Sequence, residues 1–133
     1  MPVQYLDACF YNRLIGDGIT VKIGQHRISE ALVRCRLFNN KSAIGWRSKV
    51  TPGSIIRSVM EGIITGKFKT RDQGKAVATT VGDGTIEEKS FFHLNQLFEM
   101  RDIEYTYSSG IISLLDSIAT VNNALEVDLT CRG

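Results

Sequence analysis

Arg34, Arg36, Arg47 and Lys49 occupy alternate positions of two short stretches, Val33-Arg34-Cys35-Arg36-Leu37 and Trp46-Arg47-Ser48-Lys49-Val50. Alternate residues of a strand share a face. The spacing therefore predicts four cations on one side of a strand pair, with Val33, Cys35, Leu37, Trp46 and Val50 on the other. A guanidinium binds phosphate oxygens through two parallel bonds, so such a face is fitted to nucleic-acid phosphates. The plainer use of the same pattern is a wet outer face of an antiparallel sheet. No aromatic residue interleaves on the basic side, which leaves base stacking without support.

A second set of cations, Lys67, Lys69, Arg71 and Lys75, lies in a loop with Gly66 and Gly74 near its edges. It is a second candidate for binding phosphates or other anions. It is not a P-loop, because the glycine spacing differs and Ala76 stands where Ser or Thr would reach magnesium. Three carboxylates, Glu104, Glu126 and Asp128, fall on outward positions of expected strands in the second half. No histidine is near them and no calcium-loop spacing is present, so no metal site is expected. They are read as a subunit interface, pairing with arginines of this chain or of a second copy. His26 and His93 have no partner at metal-ligand spacing. Cys35 and Cys131 fall on expected buried faces, where a thiol acts as a small hydrophobe. There is no Gly-x-Ser-x-Gly elbow and no His-Glu-x-x-His pair. No catalytic residue and no cofactor are assigned.

The elements that must carry these residues are read from periodicity. Ile19, Val21 and Ile23 alternate with Thr20 and Lys22, residues 33–37 and 44–50 alternate likewise, and the spacing predicts three antiparallel strands, the last two a hairpin. Residues 3–11 are a further candidate strand. Ile28, Leu32, Cys35 and Phe38 also share a helical face, but alternation and β-branched content favour strand. Thr51-Pro52 opens a helix, with Thr51 as N-cap and Pro52 at the first turn. Ile55, Ile56, Val59, Met60, Ile63 and Ile64 form its apolar stripe. Residues 76–81 read as a strand. Thr85 and Glu88 have capping-box spacing, starting a helix that runs to about Met100. Ile103, Tyr105 and Tyr107 read as a strand, residues 111–121 as a helix, and 125–131 as a closing strand. The expected architecture is a single α+β domain: an N-terminal antiparallel meander, then helices alternating with strands, the helices covering one face of a mostly antiparallel sheet.

Charge is divided between the halves. Residues 1–75 hold 13 Lys and Arg against 5 Asp and Glu, whereas residues 76–133 hold 3 against 9. The three cysteines are odd in number and far apart, which suits reduced thiols in a cytoplasmic setting. No secretory signal or membrane span is expected. These features favour a non-enzymatic, homo-oligomeric binding or assembly protein, of the kind that builds virus-like structures. Its basic half would engage nucleic-acid phosphates or the acidic half of another copy. The alternative is a small enzyme acting on a phosphate-bearing substrate.

Overall fold

A computed structural model of the chain describes residues 3–24, 27–122 and 128–130. Helix α1 (Val3–Leu14) leads to strand β1 (Thr20–Ile23) and helix α2 (Arg27–Arg34). Strands β2 (Gly45–Trp46) and β3 (Val50–Thr51) precede helix α3 (Gly53–Met60). Strands β4 (Ala76–Ala78) and β5 (Thr80–Val81) follow, then helix α4 (Ile86–Phe92) and strand β6 (Phe98–Met100). Short helices α5 (Ile103–Tyr107) and α6 (Ser109–Ile112) and strand β7 (Ile118–Val121) complete the described elements.

Every strand pairing among the described residues is parallel. β1 lies between β2 and β7, β3 pairs with β5, and β4 pairs with β6. A parallel bridge between Arg47 and Val77 connects the β1 sheet to β4. That bridge, Val50 with Thr80 and Thr51 with Val81 share one register offset. Residues 47–51 and 77–81 thus run side by side as one interrupted ribbon. Parallel strands cannot be joined by a tight turn and need a crossover. Here α2 carries the chain from β1 to β2, and α3 with the 66–75 loop carries it from β3 to β4.

The core follows from this arrangement. A parallel strand covered on both faces is apolar or small throughout, and β4 is such a strand. Ala76, Val77 and Ala78 are all buried. Val21, Ile23 and Trp46 pack with Leu32, Leu37 and Phe38 from the α2 segment, Ile55 and Val59 from α3, and Ala8 from α1. The Trp46 indole N–H is satisfied by the Thr51 hydroxyl at 3.1 Å. α3 carries the first part of the expected stripe: Ile55 and Ile56 are fully buried, Val59 nearly so, and Met60 is half-buried at its last residue, whereas Ile63 and Ile64 lie beyond the helix end. Pro52 takes the N-cap place and Gly53 opens the helix, one residue later than expected.

The antiparallel meander is corrected. Residues 33–37 are not a strand. They are the end of α2 and the turn after it, where the Cys35 and Arg36 amides donate to Ala31 and Val33 carbonyls. The alternation there is the junction of a helical face with a turn, and the helical spacing of Leu32 and Phe38 was the better guide. Residues 3–11 lie in α1. The helix from Thr85 has its capping box, but it stops at Phe92, and β6 occupies the stretch expected to be its last turn. Residues 103–107 are helix α5, because the Asp102 side chain accepts from the Tyr105 amide at 2.7 Å and caps a turn of strand-forming residues. The helix expected over 111–121 divides into α6 and β7. Most of the closing strand at 125–131 lies outside the described residues, and residues 129–130 are a turn. No helix among the described residues is long and apolar enough to cross a membrane.

Candidate functional site

In an open parallel sheet the carboxyl ends of the strands face one side. Ligands bind there, where connections diverge from two adjacent strands. β1 continues through α2 toward β2, and its other neighbour is β7. The carboxyl ends of β1 and β7 lie side by side. Their ends are tied by the Gly24 amide, which donates to the Val121 carbonyl at 2.9 Å. The Ser48 hydroxyl donates to the Ile23 carbonyl at 2.8 Å, bringing the segment after β2 to the same edge. Lys22 is the third residue of β1, and Lys49 follows Ser48 directly in the chain. Lys22 holds its ammonium 4.3 Å from the centre of the Tyr107 ring. Lys49 is half-buried, and its carbonyl accepts from the Thr79 and Thr80 amides at 3.0 and 2.9 Å.

Beside this edge lies a buried polar cluster. Arg47 is 1% exposed. Its guanidinium donates to Asp72 Oδ2 at 2.9 Å and to the Tyr105 carbonyl at 2.6 Å. The Tyr105 hydroxyl donates to both Asp72 oxygens, at 2.9 and 3.1 Å. Arg47 and Arg101 each stand 4.8 Å from the Tyr105 ring centre. The Arg47 Nε is buried without a hydrogen-bond partner among the described residues. Lys69, also buried, donates to the Trp46 and Lys75 carbonyls at 3.2 and 2.8 Å. Burial pushes its pKa down to about 8, against the opposing pull of Asp72. Gly45 makes room for it: a Cβ there would stand 2.8 Å from the Lys69 side chain. These contacts tie the 66–75 loop onto β2 and α5.

The expected basic sets are therefore dispersed. Arg34 ends α2 and bonds Glu30 and Glu88. Arg36 is exposed in the turn beyond. Arg47 is interior and Lys49 sits at the carboxyl edge, so the four share no sheet face. In the loop, Lys67 and Arg71 are exposed, Lys69 is buried, and Lys75 donates to the Gln96 carbonyl. Glu104 is exposed on the first turn of α5, and Asp128 accepts from the Thr130 amide and hydroxyl. Glu126, His26 and Cys131 lie outside the described residues. Among the described residues no group of three or more His, Cys, Asp or Glu could hold a metal.

Sequence reasoning missed Asp72 and Tyr105, whose partners lie far off in the chain, and it recognised Glu88 only as a cap. Glu88 is fully buried. It accepts from Arg34, from Arg57 at 3.4 Å and from the Thr85 amide at 2.9 Å, joining α2, α3 and α4. The one available signal was the pair of glycines, Gly53 and Gly84, that pack against it.

No family profile matches the chain. It is similar to a succinyl-CoA:acetate/propanoyl-CoA:succinate CoA transferase of Fasciola hepatica, 27% identical over 117 residues that make up 88% of this chain. Those residues are 24% of the relative, so the chain spans about a quarter of its length. In shape it is similar to a 4-hydroxybutyrate CoA-transferase of Porphyromonas gingivalis, with a TM-score of 0.80 and 27% identity over 95% of this chain and 31% of the other. It also shares the fold of RipA from Yersinia pestis, with a TM-score of 0.83 at 19% identity over 98% of this chain and 30% of the other. These likenesses correct the expectation of a nucleic-acid-binding or virus-like assembly protein. In sequence and in fold the chain is similar to parts of CoA-transferases instead.

Proposed function

We propose that this chain is a domain of a CoA-transferase-type enzyme, which moves coenzyme A from an acyl thioester to a free carboxylate. The observation that carries the reading is the agreement of two comparisons. A CoA transferase is 27% identical over 117 residues, and a solved CoA-transferase has the same fold at the same identity. In this reaction the donor thioester breaks and a new thioester forms on the acceptor. In net balance the donor acyl group gains one oxygen and leaves as a carboxylate, and the acceptor carboxylate gives up one. Where a side-chain carboxylate attacks first, expelling the CoA thiolate, it hands its own oxygen to the donor and regains one from the acceptor. The carboxyl edge at β1 and β7 is the place for that exchange. Lys49 and Lys22 would meet anionic parts of the ligands there. Glu126 follows the last residue of β7 by five positions in the sequence. A carboxylate can attack a thioester carbonyl, so Glu126 is the first side chain to test in the chemical step. The setting would be the cytosol, where thiols such as Cys9 and Cys35 stay free.

Because the chain spans about a quarter of its curated relative, binding is the primary test. Calorimetric titration with coenzyme A should show saturable heat, weakened roughly tenfold by Lys49→Ala, as expected for the loss of one charged contact. Conversion of succinyl-CoA and acetate into acetyl-CoA, followed by chromatography, should be abolished by Glu126→Gln. Absence of both coenzyme A binding and transfer would overturn the reading.

A further inference from the structure

A cavity of about 550 Å3 opens between the C-terminal end of α2, the 36–41 turn and α3. It lies away from the carboxyl edge. Ile63, in its wall, accepts from the Ile44 amide at the start of β2, and the turn delivers Ser42 to the Gly18 amide just before β1. Both contacts mark the amino ends of the strands.

Four cations line this cavity, Arg34, Arg36, Lys41 and Arg57, against one carboxylate, Glu61. Arg34 and Arg57 are neutralised from outside the cavity lining by Glu30, Glu87 and Glu88. Arg36 and Lys41 form no ion pair among the described residues. The turn that presents them is held in an unusual shape. Arg36 has φ 77° and Asn40 has φ 58°, left-handed conformations at residues other than glycine. Such strain persists only where its surroundings enforce it. Here the Asn12 side-chain amide of α1 donates to the Leu37 carbonyl at 2.8 Å and to the Asn39 carbonyl at 3.0 Å. Phe38 and Val33 supply apolar wall. The volume is that of a small-ligand site.

We infer that this cavity is an anion site for a small phosphate-bearing ligand, held by Arg36 and Lys41 with Arg34 and Arg57 behind them. Guanidinium groups favour phosphate through bidentate bonds. The inference stands independently of the CoA-transferase reading, since it concerns the opposite end of the strands.

The test is calorimetric titration of the full chain at low salt with inorganic pyrophosphate, with succinate as the carboxylate comparison. Pyrophosphate should bind at one site, weaken as salt rises, and shift the backbone NMR signals of residues 36–41. Arg36→Gly combined with Lys41→Gln should weaken it at least tenfold. Arg36→Gly alone provides the control for folding, because glycine adopts positive φ without strain. That variant should keep or gain thermal stability while losing affinity. No pyrophosphate binding at millimolar concentration, equal binding by the double variant, or equal affinity for succinate would overturn the assignment.

Discussion

Arg34 and Glu88, far apart in the sequence, meet through a forked pair of bonds, Nη1 to Oε1 at 3.2 Å and Nη2 to Oε2 at 3.3 Å. Glu88 is fully buried, whereas the Arg34 side chain is 44% exposed. The carboxylate is therefore the member that cannot recover solvation if the pair is broken.

Removing that carboxylate leaves Arg34 and Arg57 without it and takes away half of the capping box on α4. Glu88→Ala should cost about 1–3 kcal/mol, measured by urea unfolding. Glu88→Gln, which keeps an acceptor for the Thr85 amide, should cost less than Glu88→Ala.

The same group gives the fold an acid-labile component. Burial alone would raise the Glu88 pKa, but hydrogen bonds from Arg34 and the Thr85 amide outweigh it and hold it below its ordinary value. A carboxylate with a depressed folded pKa stabilises fully above its unfolded value. That contribution is lost as pH falls through the folded value. Glu88→Gln should accordingly flatten the fall of unfolding free energy below about pH 5, read from urea midpoints across the acid range.

Gly53 should tolerate no side chain. A Cβ there would meet the Glu88 carboxylate and, at 2.6 and 2.9 Å, the backbone of Gly84 and Asp83. Backbone on that side cannot swing away as a flexible side chain can. Gly53→Ala should destabilise by about 1–3 kcal/mol, although alanine is ordinarily the better helix former. A thermal melt of the variant gives the sign directly.

Lys69 should make stability rise with alkaline pH. Its folded pKa of about 8 lies below the ordinary lysine value of 10.5, so the unfolded chain binds more protons between those values. Stability then increases as pH climbs through that window. The full span corresponds to about 3 kcal/mol. Lys69→Met should remove the slope, visible as converging melting temperatures at pH 7.5 and 10 in the variant and diverging ones in the parent.

Asp72 and Tyr105 should differ sharply in their effects. Asp72→Ala leaves the interior Arg47 charge unpaired and should cost about 3–5 kcal/mol. Tyr105→Phe removes one hydroxyl but keeps the backbone carbonyl that Arg47 uses, and should cost about 0.5–1.5 kcal/mol. Chemical denaturation of both variants checks the order.

What could be read from the sequence was local. Thr85 and Glu88 announced a cap four residues wide, and the cap is present. Ile55, Ile56 and Val59 announced a buried helix face, and Ile19–Ile23 a strand, in agreement with α3 and β1. The failures arose where alternation competed with a cap or a turn. Residues 33–37 and 103–107 alternate cleanly, yet α2 and the Asp102 cap claim them. Strand direction left no mark in single residues, because it depends on which distant segments pair. The same holds for the site residues. Arg47 looked like a surface cation because its partners, the Asp72 carboxylate and the Tyr105 carbonyl, are 25 and 58 positions away.

The placement of β1 between β2 and β7 has a consequence for how the chain comes together. Thr20 pairs with Ile118 and Ile23 with Val121, so the central strand of the sheet waits for nearly the last described strand. Bringing such distant partners together costs loop-closure entropy before any contact rewards it, and folding dominated by remote pairings is slow. A chain emerging from the ribosome would carry β1 with one edge open until β7 has followed it. That edge, bordered by Val21 and Ile23, is the surface on which a half-made copy would aggregate.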